Sequence, residues 1–301
     1  MVTKSPSPAR AAMPAMLRQS VDNFRDTFGI VRHRLATRPA RYPKILWSVW
    51  VVAWLLLTIA VSLRFDHLAG TMARQWALGS TNVFRIAEFF TFFGLGGWYL
   101  VPSVLVLIAA NLTDWRSLSR RARMTFYNWT CFAFMVLGSI ALSAMVVNVL
   151  KYGVGRARPM NFDKLGDLSL HPFSLEARFA SFPSGHATTM GVIFGIALLL
   201  LPQRRWVLLA ATLSVASTRI FIGAHYPSDT VAGFGLGCAV AIVCAMVLGR
   251  LGCIFRYTAS GLPVAKTTFR LFRRARKPNQ NDAPRQDEFP HWSSAGKQLN
   301  C

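Results

Sequence analysis

Lys151 is followed after six residues by Arg158-Pro159, a second group reads Pro183-Ser184-Gly185-His186, and a third places Arg219, His225 and Asp229 in that order, within a chain of 301 residues. The three cations supply fixed positive charge for a dianion, Arg gripping two phosphate oxygens at once where Lys acts as a point charge. Pro183 and Ser184 have the composition of a helix start, so the free N–H groups around Gly185 and His186 and the positive end of the helix dipole would face an anion. Gly185 lets backbone approach that anion closely. Asp229 stands four residues after His225, so a helical turn returns it beside the ring, where it can accept from one nitrogen and leave the other as a nucleophile. His186 has no acid near it in sequence and, protonated, can deliver a proton to a leaving alkoxide. The chemistry these types could perform together is attack on phosphorus, with a phosphohistidine that water then opens.

Each group also has a bland reading. A Lys or Arg at the end of an apolar run commonly snorkels to headgroups, the ordinary reading of Lys151 taken alone. Arg156 and Arg178 fit that reading better and stay outside the expected site. His67 and His171 read as surface residues, and Asp229 after Pro227-Ser228 is also what a helix N-terminus attracts. Order, spacing and a shared side of the membrane single out the set as a whole.

The elements that must carry these residues are apolar. The chain is 53% hydrophobic and 15% charged, with a formal net charge of +22. That combination excludes disordered, collagenous and disulfide-scaffold classes. Charge-free runs cover Ile45–Leu63, Phe89–Ala110, Thr125–Leu150, Ala187–Leu201, Trp206–Thr218 and Thr230–Gly249. An all-α, polytopic membrane protein with six transmembrane helices is expected, the fourth and fifth runs being extended through Phe182 and Ile222 to reach spanning length. The expected organisation is a basic N-terminal segment over 1–44, a membrane domain over 45–250 and a basic, partly disordered tail over 251–301. Residues 65–86 suit an amphipathic helix at the outer interface.

With the N-terminus inside, 25 of the 34 Lys and Arg lie on the inner side. Both termini are therefore expected in the cytoplasm, and the three chemical groups on the outer face. The basic tails then meet anionic lipid headgroups rather than nucleic acid. Cys131, Cys238 and Cys244 lie within the runs, and no metal-ligand spacing occurs.

On the residues Lys151 to Arg158-Pro159, Pro183-Ser184-Gly185-His186, and Arg219 to His225 to Asp229, the sequence resembles the type 2 phosphatidic acid phosphatase family of integral membrane lipid phosphatases. The resemblance spans about residues 45–250. It implies that Lys151, Arg158, Ser184, Gly185 and Arg219 bind the substrate phosphate, that His186 protonates the leaving group, and that His225, oriented by Asp229, is the nucleophile. It implies no metal and no cofactor. The family commonly has Ser before the third-group Arg, where this chain has Thr218, a change that keeps the hydroxyl and bears on fine specificity. The expected substrate is a membrane phospholipid or glycolipid phosphate at the periplasmic face of a bacterial inner membrane, with lipid A phosphate slightly ahead of isoprenyl diphosphate, phosphatidylglycerophosphate and phosphatidic acid. A lipid-to-lipid phosphotransferase could use the same site. A transporter would place its charges mid-span, and a non-enzymatic lipid-binding protein would tolerate loss of His225.

Overall fold

The computed structural model describes residues 13–39, 47–78, 82–258 and 261–269. The described chain is mostly helical. α1 covers Ala15–Thr37, α2 Trp47–Val61, α3 His67–Leu78, α4 Asn82–Thr91, α5 Gly97–Leu112 and α6 Arg120–Val154. A four-residue α7, Phe162–Leu165, lies in the loop that follows, then come α8 Gly185–Leu200, α9 Arg205–Phe221 and α10 Pro227–Arg250. Backbone groups have no water to bond in hydrocarbon, so apolar runs of this kind close their hydrogen bonds internally as helices.

Four helical stretches are long and apolar enough to cross a membrane: Trp47–Ala73, Phe84–Leu112, Arg120–Val154 and Pro227–Arg250. The expected fourth and fifth spans are shorter, 16 residues in α8 and 17 in α9. At about 1.5 Å per residue each extends roughly 24–26 Å, less than the ~30 Å of a typical hydrocarbon core. The first two stretches turn most of their side chains outward, as Trp50, Leu56, Trp98 and Leu105 do.

The core joins α6, α8 and α10 through Met135, Val136 and Ile140, Val192 and Ile196, and Ala241, Ala245 and Leu248. The contact between α8 and α10 is set by glycine. A Cβ on Gly191 would lie 1.9 Å from the Phe234 carbonyl oxygen, and one on Gly237 would lie 2.0 Å from that of Thr188. Gly237→Ala gains about 1 kcal/mol of helix propensity, but the clash is with backbone and no rotamer relieves it. Overpacking costs about 1–3 kcal/mol, so a lower thermal midpoint in detergent is expected; an unchanged midpoint would show that the helices separate freely.

Both segments that flank the membrane domain dock on it. α1 lies in the N-terminal segment and docks through Asn23, whose Nδ2 donates to the carbonyls of Asn111 at 2.8 Å and Thr113 at 3.0 Å. The tail beyond residue 250 contributes Ile254 and Phe255 to the core. It forms the antiparallel strands β1 Phe255–Tyr257 and β2 Pro263–Ala265, with Arg256 opposite Val264, so the all-α description holds apart from this hairpin. Residues 1–12, 40–46 and 270–301, including the Arg270–Lys277 basic run, lie outside the described residues. One expectation changes: 65–86 is not one interfacial helix, because a π-helical turn, Ser62–Asp66, carries the chain from α2 directly into α3, with Asp66, Ala69 and Ala73 buried.

The two ends of α6 divide the molecule. Near Arg120 gather α1, Arg116 bonded to Asp26, Arg34 bonded to the Leu251 carbonyl, and Arg250 bonded to that of Arg38. Near Lys151 gather Arg158, Arg219 and Asp229.

Candidate active site

Local sequence accounts for each piece of the site. α6 stops at Gly155, whose φ of 61° is the left-handed conformation that glycine adopts without strain, and whose added Cβ would strike the His171 carbonyl. The chain therefore leaves the helix one turn after Lys151, and Arg156 and Arg158 fall on the loop. Ser184 caps α8 with its side chain, and Pro227 occupies the first turn of α10, where a missing N–H costs nothing. Asp229 in that turn accepts from the Tyr226 N–H at 2.9 Å. The two helix starts are tied together by the Ser184 N–H, which donates to the Asp229 carbonyl at 3.0 Å.

All the expected site residues meet here. His186 lies within electrostatic range of Arg219, His225, Lys151 and Arg158. Lys151 Nζ donates to the Ala180 carbonyl at 3.0 Å. The Nε atoms of Arg158 and Arg219 are buried and have no hydrogen-bond partner among the described residues. Buried donors without partners are costly, and two of them converging on a cationic site suit an anionic ligand. Burial holds the Arg158 guanidinium below its usual pKa, against the pull of Asp229. A Cβ at Gly185 would meet no atom of the chain within 4 Å, so packing does not explain the glycine. Gly94 is different: a Cβ there would come within 2.9 Å of the His186 ring, and the bare backbone of the 3₁₀ turn Phe92–Gly94 lies against the imidazole.

His225 is 2% exposed. Its Nδ1 lies 2.7 Å from the carbonyl oxygen of Ser181 and 3.8 Å from Asp229 Oδ2. A carbonyl only accepts, so the proton sits on Nδ1 and the lone pair on Nε2. The expected direct bond to Asp229 is thus replaced by one to Ser181, whose own Oγ donates to Asp229 Oδ2 at 2.5 Å. Asp229 works on the ring from slightly farther away, and the tautomer is the one a nucleophile needs.

Burial, opposed by Asp229 and assisted by Lys151 and Arg219, lowers the His225 pKa from 6.5 to about 4. Between those values an unfolded chain holds the proton and the folded one does not. Stability should therefore be full above pH ~6.5 and fall on acidification until pH ~4, by about 3 kcal/mol for this group. The expected result is a thermal midpoint that drops less between pH 7 and pH 4 in His225→Asn than in the parent. Parallel curves would mean that His225 titrates like a free imidazole.

The sequence reading misplaced Arg156. It is 5% exposed and no headgroup anchor. Its Nη1 reaches Asp229 Oδ1 at 2.7 Å and its Nη2 reaches Asp66 Oδ2 at 2.9 Å. Asp66, fully buried, was not foreseen at all. A carboxylate at the end of an apolar run was the available signal, because a buried charge must have a partner. Arg178, by contrast, is exposed beside Glu176 and stays outside the site as expected.

The geometry defines a cationic cluster beside a fixed imidazole. The family model of the PAP2 superfamily matches residues 132–252, which contain every candidate residue. The chain is 32% identical over 230 residues to a lipid A 1-phosphatase of Rhizobium johnstonii, covering 76% of this chain and 91% of that protein. It is equally 32% identical to a lipid A 1-phosphatase of Rhizobium etli over 229 residues, 75% of this chain and 96% of that one. Among solved structures, it is similar to a transmembrane PAP2-type phosphatidylglycerolphosphate phosphatase from Bacillus subtilis, at 19% identity and a TM-score of 0.44 over 64% of this chain and 92% of that one. The chain belongs to the PAP2 superfamily and is a phosphatase of that type.

Proposed function

We propose that the protein removes the phosphate monoester of a lipid A-type glycolipid at the periplasmic face of a bacterial inner membrane, through a phosphohistidine on His225. The observation that carries this reading is the 2.7 Å approach of His225 Nδ1 to the Ser181 carbonyl, beside the buried Nε atoms of two guanidiniums that have no partner among the described residues. Lys151, Arg158 and Arg219, with the α8 N-terminus at Ser184 and Gly185, hold the phosphate. His225 Nε2 attacks phosphorus, the bond to the lipid oxygen breaks, and His186 gives that oxygen its proton. His186, now neutral, takes a proton from water as the hydroxide displaces phosphorus from His225, releasing inorganic phosphate and restoring both rings. No metal has a part in these steps.

Lipid A is preferred because the two curated relatives with which the chain aligns along most of its length carry that activity in their names. Six spans with both termini in the cytoplasm follow from reading α8 and α9 as spans alongside the four longer stretches, and from the weight of Lys and Arg on the α1 side. The anionic inner leaflet then faces the basic segments.

The test is phosphate release by the purified full-length protein from lipid A, undecaprenyl diphosphate, phosphatidylglycerophosphate and phosphatidic acid, with EDTA present. Release from lipid A alone, unaffected by EDTA, supports the reading. Release dependent on a metal, or selective for another lipid, overturns the corresponding part. Appearance of a second phosphorylated lipid in place of free phosphate would identify a transferase.

A further inference from the structure

Arg156 uses every donor it has. Nε and Nη2 bond the Asp167 carbonyl at 3.1 and 2.8 Å, Nη1 bonds Ser228 Oγ at 2.8 Å and Asp229 Oδ1 at 2.7 Å, and the second N–H of Nη2 bonds Asp66 Oδ2 at 2.9 Å. Its guanidinium carbon stands 4.3 Å from the centre of the Tyr226 ring. Arg158, two residues away, has a buried Nε without a partner. One loop thus carries a guanidinium left for a ligand and another consumed entirely by the protein.

The partner that consumes it comes from far away in sequence. Asp66 closes the π-helical turn Ser62–Asp66, a turn type that often marks a functional position. Its Oδ1 accepts from the Ser228 N–H at 3.0 Å, and its Oδ2 accepts from Ser62 Oγ at 2.8 Å and from Ser228 Oγ as well as from Arg156. Ser228 lies next to Asp229, so Asp66 grips the α10 start directly as well as through the guanidinium. The backbone completes the enclosure: the Ser181 N–H donates to the Arg156 carbonyl at 3.0 Å, and that same Ser181 presents the carbonyl that His225 Nδ1 faces. Arg156, Ser181 and Asp229 therefore form a closed set around the imidazole, and Asp66 is its outer fixing point.

We infer that Asp66 is a positioning residue for phosphate transfer, acting through Arg156 and Ser228 to hold Asp229 and the Ser181 carbonyl against His225. This rests on the reading of His225 as the nucleophile. Two buried carboxylates facing each other repel unless a cation stands between them, and Arg156 bonds both, Asp229 through Nη1 and Asp66 through Nη2, which holds their geometry. The set's contact with the groups assigned to the phosphate is the backbone bond from the Ser184 N–H to the Asp229 carbonyl, which a side-chain substitution at Asp66 or Asp229 leaves in place, so its loss acts on turnover more than on binding.

The experiment is a kinetic comparison of Asp66→Asn, Arg156→Lys, Asp229→Asn and the Asp66→Asn/Asp229→Asn pair in the full-length protein, with His225→Ala beside them. Asp66→Asn keeps size and one acceptor but loses the charge. The expected result is a 10- to 100-fold fall in kcat with KM within about twofold, and a double variant little slower than Asp229→Asn alone. Fully additive losses, a change confined to KM, or kcat within twofold of the parent would overturn the inference. If Asp66→Asn does not fold, Arg156→Lys decides: it keeps the charge but cannot span both carboxylates, and parental kcat in it overturns the inference. An active His225→Ala would instead remove the underlying mechanism, whatever Asp66 does.

Discussion

His225→Ala is expected to lower phosphate release by about 10⁴- to 10⁶-fold, the range seen when a member of a catalytic unit is removed. The reason is geometric. Nδ1 faces the Ser181 carbonyl, so only Nε2 of this ring can reach phosphorus. If the phosphohistidine cannot form, a proton donor at His186 has no leaving group to serve. His186→Ala combined with His225→Ala should thus be scarcely slower than His225→Ala alone. The measurement is turnover in single and double variants, together with a search for acid-labile, base-stable phosphate on the parent trapped during reaction. Losses that multiply, or label on a parent whose His225→Ala variant labels equally, would sink the mechanism.

Arg219→Ala should cost about 10²- to 10³-fold in kcat/KM, the scale for one preorganised donor to developing charge. Arg219→Lys should recover only a small part of it. A lysine restores charge but not two parallel N–H groups, and the buried Nε of Arg219 has no partner among the described residues, which leaves the fork free for a phosphate. The check is kcat/KM of both variants at matched ionic strength. Full recovery by Lys would reduce Arg219 to a point charge, and unchanged kinetics in Ala would make it an anchor for α9.

How much of this was legible beforehand follows the range of the forces involved. The three motifs were readable because their chemistry is local: Ser184 caps the helix that carries His186, and Asp229 lies one turn from His225. The apolar runs were readable because membrane-crossing length is a property of the run itself. Arg156 was misread because a cation at the end of a span has the same sequence signature whether it reaches water or a buried carboxylate. Its partner Asp66 lies 90 residues earlier, and no spacing rule joins them. The docking of α1 was not readable for a related reason. Asn23 needs only the carbonyls at the end of α5 to hold it in place, and no spacing rule joins the two. The Ser181 carbonyl, which sets the His225 tautomer, is backbone and leaves no mark on residue type.

The glycine contact between α8 and α10 has a consequence for motion. Backbone touches backbone at Gly191, Gly233 and Gly237, and the Ser184 N–H to Asp229 carbonyl bond fastens the two helix starts. Two rods joined this closely move as one strut. Thermal breathing of the bundle then leaves the spacing between His186 on one rod and His225 beside the other unchanged. Movement in the surrounding bundle falls instead to α4 and α5, whose side chains mostly face outward, so the frame that holds the two histidines stays stiff while those neighbours yield.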